Sequence, residues 1–348
     1  MKSDFEYIFI VIVMLLLFVF SLTRKTKNAC GGGKTLFVID LQMSYVIKGL
    51  ACLLILLGHY ANMRISPNFS VISKIVWMFS SNVALTWFMF FSGYGLSLKK
   101  SLNVKDSWKH SFLKIYLPSL FVGSVAFLMY MSLPVTLTYS DIVSLHINEN
   151  LYFLQHFSFN VLWRILKSLL LGNGSWYVIC IIVFYSVFYL GLYISKYKKK
   201  NLSIIIGILF FLYFVFAYLY FGKLQAHYYR YCWTFLFGHA VAVRTKQSWS
   251  VAILSLITII PENWILHVSY ILAVVGLYLF SAINEFYEIK GELLLRLGFM
   301  SYFFYLSHES IGYVLLTYLN INSIIVWIFL TILVSYCMYS VWKKVLTR

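Results

Sequence analysis

The segment Ile47–Tyr60, IKGLACLLILLGHY, decides the fold class, because it is a nearly continuous apolar run with a lysine near one end and a histidine near the other. Apolar runs of about 20 residues, which a helix needs to cross roughly 30 Å of hydrocarbon, recur along the whole chain. Hydrophobic residues make up 61% of the sequence and charged residues only 11%. This composition predicts an all-α polytopic membrane protein rather than a soluble domain.

The apolar runs predict a bundle of about ten to eleven transmembrane helices. They lie at 5–22, 44–63, 76–98, 115–133, 175–195, 202–221, 231–243, 249–260, 264–283, 297–319 and 322–341. Lysine and arginine are retained on the cytoplasmic side of a membrane. One alternating assignment places 20 of the 28 basic residues on that side, which predicts an outside N-terminus and a cytoplasmic C-terminus.

The formal net charge of +17 does not indicate a nucleic-acid partner, because the basic residues are dispersed over short loops on one face of a membrane. The densest group lies in 99–114, KKSLNVKDSWKHSFLK, where five lysines could bind anionic lipid or a phosphorylated ligand. The alternative is that these lysines only fix the topology. In either case membrane lipids are the expected surroundings.

Two domains are predicted, an N-terminal membrane anchor with a glycine-rich linker over 1–35 and a transmembrane domain over 36–348. The CGGGKT sequence of the linker is not a P-loop, since Asn28 stands where that motif needs a glycine. The outer segment 134–174 is expected to be a lid or re-entrant element. The cysteines show no CxxC spacing, so neither a disulfide framework nor a metal site is predicted.

Ionisable side chains are costly inside a membrane, which makes Lys48 and His59 functional candidates. They are eleven residues apart, so a helix places them about 20° apart around its axis and roughly 16 Å apart along it. Each also has an ordinary explanation. Lys48 could extend to the lipid headgroups, and His59 could be a hydrogen-bonded structural residue. Their shared face favours a functional pair.

The sequence around this pair resembles the signature of the acyltransferase 3 family of integral membrane O-acyltransferases, a basic residue followed after ten residues by histidine in an early helix. Four later segments resemble further motifs of that family in the same order. The five segments are IDLQMSYVIKGLACLLILLGHY (39–60), LTWFMFFSGYGLSLKK (85–100), SWKHSFLKIYLPSL (107–120), GNGSWYVICIIVFY (172–185) and LGFMSYFFYLSHES (297–310). Arginine is more usual in the family where Lys48 stands, and the first predicted span lies outside the pattern.

The resemblance implies transfer of an acyl group, usually acetyl from cytoplasmic acetyl-CoA, to a hydroxyl of a cell-envelope polysaccharide or lipid-linked sugar in a bacterial inner membrane. Histidine titrates in the range useful for a general base, which fits His59 as the base for the acceptor hydroxyl. An acyl-histidine intermediate is a variant of the same chemistry. Lys48 would contact the CoA or neutralise charge along the donor's path. No metal cofactor is expected.

The other candidates belong to the later motifs. Ser301, Tyr305 and His308 share one helix face and would position the acceptor or the cofactor, although Ser301 could equally bond a neighbouring helix. Glu309 is either the partner of His308 or a carboxylate near the outer surface. Trp176 and Tyr177 would stack on a sugar ring or sit as interfacial aromatics. Ser92, Gly93 and Tyr94 are expected to allow a close helix approach beside His59, with Ser92 as a candidate cofactor ligand. Lys109 and Lys114 are candidates for the CoA phosphates.

Two other functions compete with the acyltransferase. The first is a transporter or flippase for an envelope glycan precursor, in which Lys48 and His59 form a charge or proton relay. The absence of an internal repeat from the sequence counts against it. The second is a sensor or assembly subunit in which the polar residues only specify helix packing, and it predicts that His59 tolerates asparagine or glutamine.

Overall fold

The computed structural model describes residues 2–24, 39–63, 71–99, 103–131, 176–198 and 201–346, and these ranges contain twelve α-helices and one two-stranded sheet. The predicted linker at Gly31–Gly33 and the predicted lid at 134–174 lie outside the described residues. The elements are α1 Lys2–Ser21, β1 Leu22–Arg24, α2 Leu41–Met63, α3 Val71–Leu98, α4 Val104–Met131, α5 Trp176–Lys198, α6 Leu202–Phe221, α7 Cys232–Val243, α8 Lys246–Leu254, α9 Trp264–Phe286, β2 Tyr287–Ile289, α10 Glu292–Phe299, α11 Ser301–Tyr313 and α12 Ile324–Leu346.

Six helices of the described ranges are long and apolar enough to cross a membrane, namely α2, α3, α5, α6, α9 and α12. In α1 the apolar stretch is shorter, Phe5–Ser21. The helical fold class is therefore confirmed, whereas the total of ten to eleven spans and their orientation stay predictions.

The segment predicted as one span at 297–319 is not a single continuous α-helix, because it divides into α10, α11 and a π-helical turn, Val314–Tyr318. The break follows Gly298, whose backbone lies directly against the carbonyl oxygen of Tyr45 in α2. Glycine favours this close approach and weakens the helix at the same point. Hydropathy alone does not detect such a break.

The segment predicted as a span at 249–260 is likewise not one regular α-helix. Helix α8 ends at Leu254 and continues as a 3₁₀ turn, Ser255–Ile259. The Ser255 hydroxyl donates to the Ala252 carbonyl at 2.6 Å, and the Thr258 hydroxyl donates to the Ser255 carbonyl at 2.9 Å. These side-chain bonds compete with the helical backbone pattern, which is consistent with the change to 3₁₀ geometry.

One compact unit comprises Met1–Phe88 and Trp264–Arg348. Helix α2 is central to it and packs against α10, α11 and α12. Gly49 of α2 and Gly298 of α10 permit a backbone-to-backbone approach, since an added Cβ on either would collide with the facing helix. Helix α1 packs on α2 and α10, and β1 pairs antiparallel with β2. This packing places α2 and α11 side by side.

A second compact unit comprises Met89–Asn263. The end of α3 and helix α7 approach through a reciprocal pair of glycines. Gly93 lies against the carbonyl oxygen of Phe235, and Gly238 lies against that of Phe90. A close helix approach was expected at Gly93, and the helix that approaches there is α7. The expected place of this approach beside His59 stays a prediction.

A buried histidine that the sequence analysis did not single out lies between three helices of the second unit. His239 of α7 is fully buried. Its Nδ1 lies 2.8 Å from the Ser97 hydroxyl of α3, and its Nε2 lies 3.0 Å from the Ser203 hydroxyl of α6. Both ring nitrogens therefore have partners, which is the arrangement of a structural histidine.

Candidate active site

Helices α2 and α11 bring together three ionisable side chains in the first unit, which we call the histidine–glutamate cluster: His59, His308 and Glu309. The His59 Nδ1 lies 3.3 Å from the Glu309 Oε1. The rings of His59 and His308 meet edge to face, with centroids 4.8 Å apart. His59 is 30% and Glu309 56% exposed, whereas His308 is 1% exposed. The cluster thus has a buried side and an accessible side.

Hydrogen bonds indicate where the protons of the two imidazoles lie. The His308 Nδ1 is 2.6 Å from the Tyr305 carbonyl, which can only accept, so this nitrogen carries the proton. Its Nε2 is buried and has no hydrogen-bond partner among the described residues. In His59 a proton on Nδ1 would be donated to the Glu309 carboxylate, which leaves the Nε2 lone pair as the basic atom. A carboxylate that orients an imidazole in this way is the arrangement of an acid–base pair.

The same three residues have a donor set that fits a divalent cation. One ligand atom from each of His59, His308 and Glu309 lies within 4.8 Å of the other two. Two imidazoles and a carboxylate are the protein ligands of several catalytic zinc sites. A bound metal and a free general base are mutually exclusive uses of His59, because a coordinated nitrogen cannot accept a proton.

The cluster is supported by a chain of contacts that reaches α1. The Trp327 Nε1 of α12 donates to the carbonyl of His308 at 2.8 Å. The Trp327 ring packs edge-on against Tyr60, the neighbour of His59, at 5.7 Å between centroids. The Tyr60 hydroxyl in turn donates to the Glu6 carboxylate of α1 at 3.1 Å. The first helix therefore contacts the residue next to the candidate base.

The other predicted residues of this unit lie on the same two helices. Tyr305 contacts His308 through both its carbonyl and its ring, with centroids 5.6 Å apart. Ser301 is buried at the start of α11, where its carbonyl accepts the Cys52 thiol at 3.5 Å. Lys48 is half-buried, and its Nζ lies 5.3 Å from the centroid of the Tyr45 ring. Of these three, only Tyr305 touches the histidine–glutamate cluster in the contacts described above.

In the second unit the predicted Trp176 belongs to an aromatic and ionic group at the start of α5. Its ring stacks on Tyr231, with centroids 5.8 Å apart, and lies 5.1 Å from His227. Burial, followed by the charge of Arg230, lowers the pKa of His227 to about 4, so this side chain is neutral at pH 7. Arg230 lies 3.5 Å from the largely buried Glu262.

Two further predicted residues of this unit have ordinary packing partners. Tyr177 is buried beside Trp176 with the rings edge to face. Ser92 is half-buried and hydrogen-bonds Tyr185. Neither contact by itself indicates a ligand, so the roles predicted for them stay predictions.

The predicted phosphate-binding lysines lie on α4. Lys109 and Lys114 are both exposed. Lys99 at the end of α3 lies 3.5 Å from the Ser111 hydroxyl of α4. Burial, followed by the positive charge of Lys114, lowers the pKa of Lys99. Two neighbouring cations favour an anionic ligand, so Lys99 and Lys114 are a candidate pair for one. The role predicted for Lys109 stays a prediction.

Sequence reasoning did not single out Glu6, Tyr60, His227, Arg230 and Trp327. A signal existed for Glu6, because an acidic residue inside a predicted span is a functional candidate on the same grounds as Lys48. Tyr60 and Trp327 carry no such signal, since aromatic residues are abundant throughout this chain.

Comparison with known families identifies the chain. The family model described as "Acyltransferase domain", that of the acyltransferase 3 family, matches residues 45–343. Searches of curated proteins and of solved structures return no match. The family match includes the whole histidine–glutamate cluster and begins within α2, so that α1 lies outside it. The chain belongs to the acyltransferase 3 family, and with six long apolar helices among its described residues it is an integral membrane acyltransferase.

Proposed function

We propose that the protein is a membrane-bound O-acetyltransferase, which moves acetyl from cytoplasmic acetyl-CoA to a hydroxyl of a cell-envelope polysaccharide or lipid-linked sugar. The observation that carries the proposal is the His59–Glu309 pair at 3.3 Å, in a chain of an acyltransferase family. The carboxylate orients the imidazole so that Nε2 is free to accept a proton. The proposed setting is the inner membrane of a bacterium.

In the proposed reaction, the His59 Nε2 accepts the proton of the acceptor hydroxyl. At the same time the oxygen of that hydroxyl attacks the carbonyl carbon of the thioester. The tetrahedral intermediate collapses as the carbon–sulfur bond breaks. The leaving CoA thiolate takes the proton from the His59 imidazolium, so no oxidant or further reactant is needed. In the acyl-histidine variant Nε2 itself attacks the carbonyl carbon, and the carbon–sulfur bond breaks as the CoA thiolate leaves. The acceptor oxygen then takes the acetyl group from the acyl-histidine, and the hydroxyl proton passes to the thiolate.

Glu309 and His308 have different parts in this proposal. Glu309 stabilises the positive charge that develops on His59 during proton transfer. The buried ring of His308 fixes the His59 ring from the side, and its Nε2 is a buried acceptor atom that no described residue uses. That atom is shielded from solvent, so the sugar hydroxyl would have to displace the side chains that cover it before it can donate a hydrogen bond there. Positioning of this kind is a large part of enzymatic rate enhancement.

The direct experiment is acyl transfer by the purified protein in proteoliposomes supplied with [¹⁴C]acetyl-CoA and envelope glycan from a deletion strain. The proposal expects radiolabel to enter the glycan as base-labile ester and free CoA to appear in equal amount. Movement of a glycan precursor across the membrane without label transfer would instead support a transporter.

Lys48 is expected to act on the donor. It lies roughly 16 Å along α2 from His59, a separation that suits an extended pantetheine arm. We expect Lys48→Ala to raise KM for acetyl-CoA by about tenfold, the loss of one charge-assisted contact, with kcat little changed. Lys48→Arg keeps the charge and most of the affinity. Lys74→Ala, at an exposed lysine of α3, is the control. Equal KM in all four proteins would leave Lys48 as a residue that only reaches the headgroups.

The contact between α1 and α2 is expected to affect catalysis through Tyr60. We expect Tyr60→Phe and Glu6→Leu each to lower kcat by about tenfold at unchanged KM. Both remove the hydrogen bond that holds the ring of residue 60 beside His59. Glu6→Gln keeps an acceptor for the Tyr60 hydroxyl and should retain most activity. In the double variant the two losses should not add. Additive losses, or a loss in Glu6→Gln equal to that in Glu6→Leu, would contradict this coupling.

A further inference from the structure

A groove on the second unit, which we call the α6–α8 groove, lies between α6, α7, α8 and the 3₁₀ turn after α8. Its volume is about 680 Å³, a size typical of ligand-binding pockets. The walls are almost entirely apolar and include Ile204, Ile208 and Phe211 of α6 and Leu254 and Ile257 on the opposite side. All five of these side chains are more than 40% exposed. The groove is therefore open along its length.

Polar groups of the groove lie at the start of α8. Lys246, Gln247 and Ser250 line it there, and all three are exposed. Helix α8 begins with a capping box between Thr245 and Ser248, so its positive dipole end points to the same place as the Lys246 charge. In the rest of the groove, the hydroxyl groups are those of Ser255 and Thr258 in the 3₁₀ turn.

The groove has one polar end and a long apolar part, as a membrane lipid has a polar headgroup and an apolar chain. Ile204 lies close to the start of α6, and Leu212, also in the groove, lies about 12 Å deeper along that helix. A water-soluble ligand would find few hydrogen-bond partners over this depth, whereas an acyl chain needs none. The cation at the mouth is complementary to an anionic headgroup.

We propose that the α6–α8 groove binds one anionic phospholipid, with an acyl chain between α6 and α8 and the phosphate at Lys246. This site is separate from the histidine–glutamate cluster and does not rest on the proposed function. Helices α7 and α8 both line the groove, and only Arg244 and Thr245 join them. A bound lipid therefore fastens this pair of short helices to α6.

The test uses the purified full-length chain, stripped of lipid and then titrated with phosphatidylglycerol or phosphatidylcholine of identical acyl chains. Native mass spectrometry counts bound lipids, and a thermal shift assay measures Tm. We expect one phosphatidylglycerol to be retained at least fivefold more strongly than phosphatidylcholine and to raise Tm. Lys246→Gln should remove this preference. Lys343→Gln, at an exposed lysine of α12, should keep it.

A second variant tests the apolar part of the site. Ser250→Trp places a bulky ring in the groove at an exposed position, so the helix can form while the acyl chain is excluded. It should lose the tightly retained lipid of either headgroup. Equal retention of both lipids by the unaltered protein, retention by Ser250→Trp, or displacement of the lipid by acetyl-CoA would each overturn the proposal.

Discussion

Replacing His59 with alanine is expected to lower the rate of acyl transfer by roughly 10²–10⁴-fold, the contribution that a general base usually makes. The variant should remain folded, because His59 is partly exposed and its described contacts are with Glu309 and His308 alone. KM for acetyl-CoA should change little, since the lost step is proton transfer. The measurement is steady-state transfer of [¹⁴C]acetyl in proteoliposomes at matched protein levels.

His59→Gln separates catalysis from helix packing. Glutamine can keep a hydrogen bond to Glu309 but cannot accept a proton at neutral pH, so its activity should fall as far as that of alanine. A glutamine variant with normal activity would support a packing role and exclude the base. His267→Ala, at a half-buried histidine of α9 that is not a member of the cluster, is the control and should keep its activity.

The same assay distinguishes a free base from a metal ligand. The donor set of His59, His308 and Glu309 fits a divalent cation, but the proposed mechanism needs the His59 Nε2 without a metal. We therefore expect full activity after dialysis against EDTA and no zinc in the purified protein by elemental analysis. Loss of activity with EDTA, restored by zinc, would replace the general base with a metal-activated reaction.

The lysine–histidine helix was predictable because its information is local. Apolar length and helical periodicity predict a span at 44–63, and the structure has α2 from Leu41 to Met63. The family was also predictable, since its motifs are short and follow one another along the chain. Helical periodicity could not predict the helix break near Gly298, because that break depends on a backbone contact with Tyr45, which lies far away in the sequence.

The partner of His59 illustrates the same limit. Glu309 was expected to pair with His308 or to lie near the outer surface, and those alternatives did not include its ion pair with His59 in another helix, 250 residues away in sequence. Helical spacing relates residues that share one helix, and it correctly places Tyr305 one turn before His308. It says nothing of which face of α2 meets which face of α11. That choice is made by packing, through the glycines of α2 and α10.

His308 gives the second large effect that we expect. His308→Asn should lower kcat by about 100-fold while preserving the fold, a loss typical of misplaced catalytic groups. The amide nitrogen of asparagine can occupy the position of Nδ1 and donate to the Tyr305 carbonyl, so the local hydrogen bond survives. What disappears is Nε2 and the ring edge against His59.

His308→Gln and His308→Phe divide those two losses. Glutamine restores a polar acceptor near the position of Nε2 without the ring, whereas phenylalanine restores the ring without the acceptor. If Nε2 binds the acceptor hydroxyl, phenylalanine should raise KM for the glycan and glutamine should not. If the ring only holds His59, phenylalanine should be the more active of the two, with kcat rather than KM changing in the glutamine variant. Wild-type activity in both would remove His308 from the site, because each of its two contacts would then be dispensable.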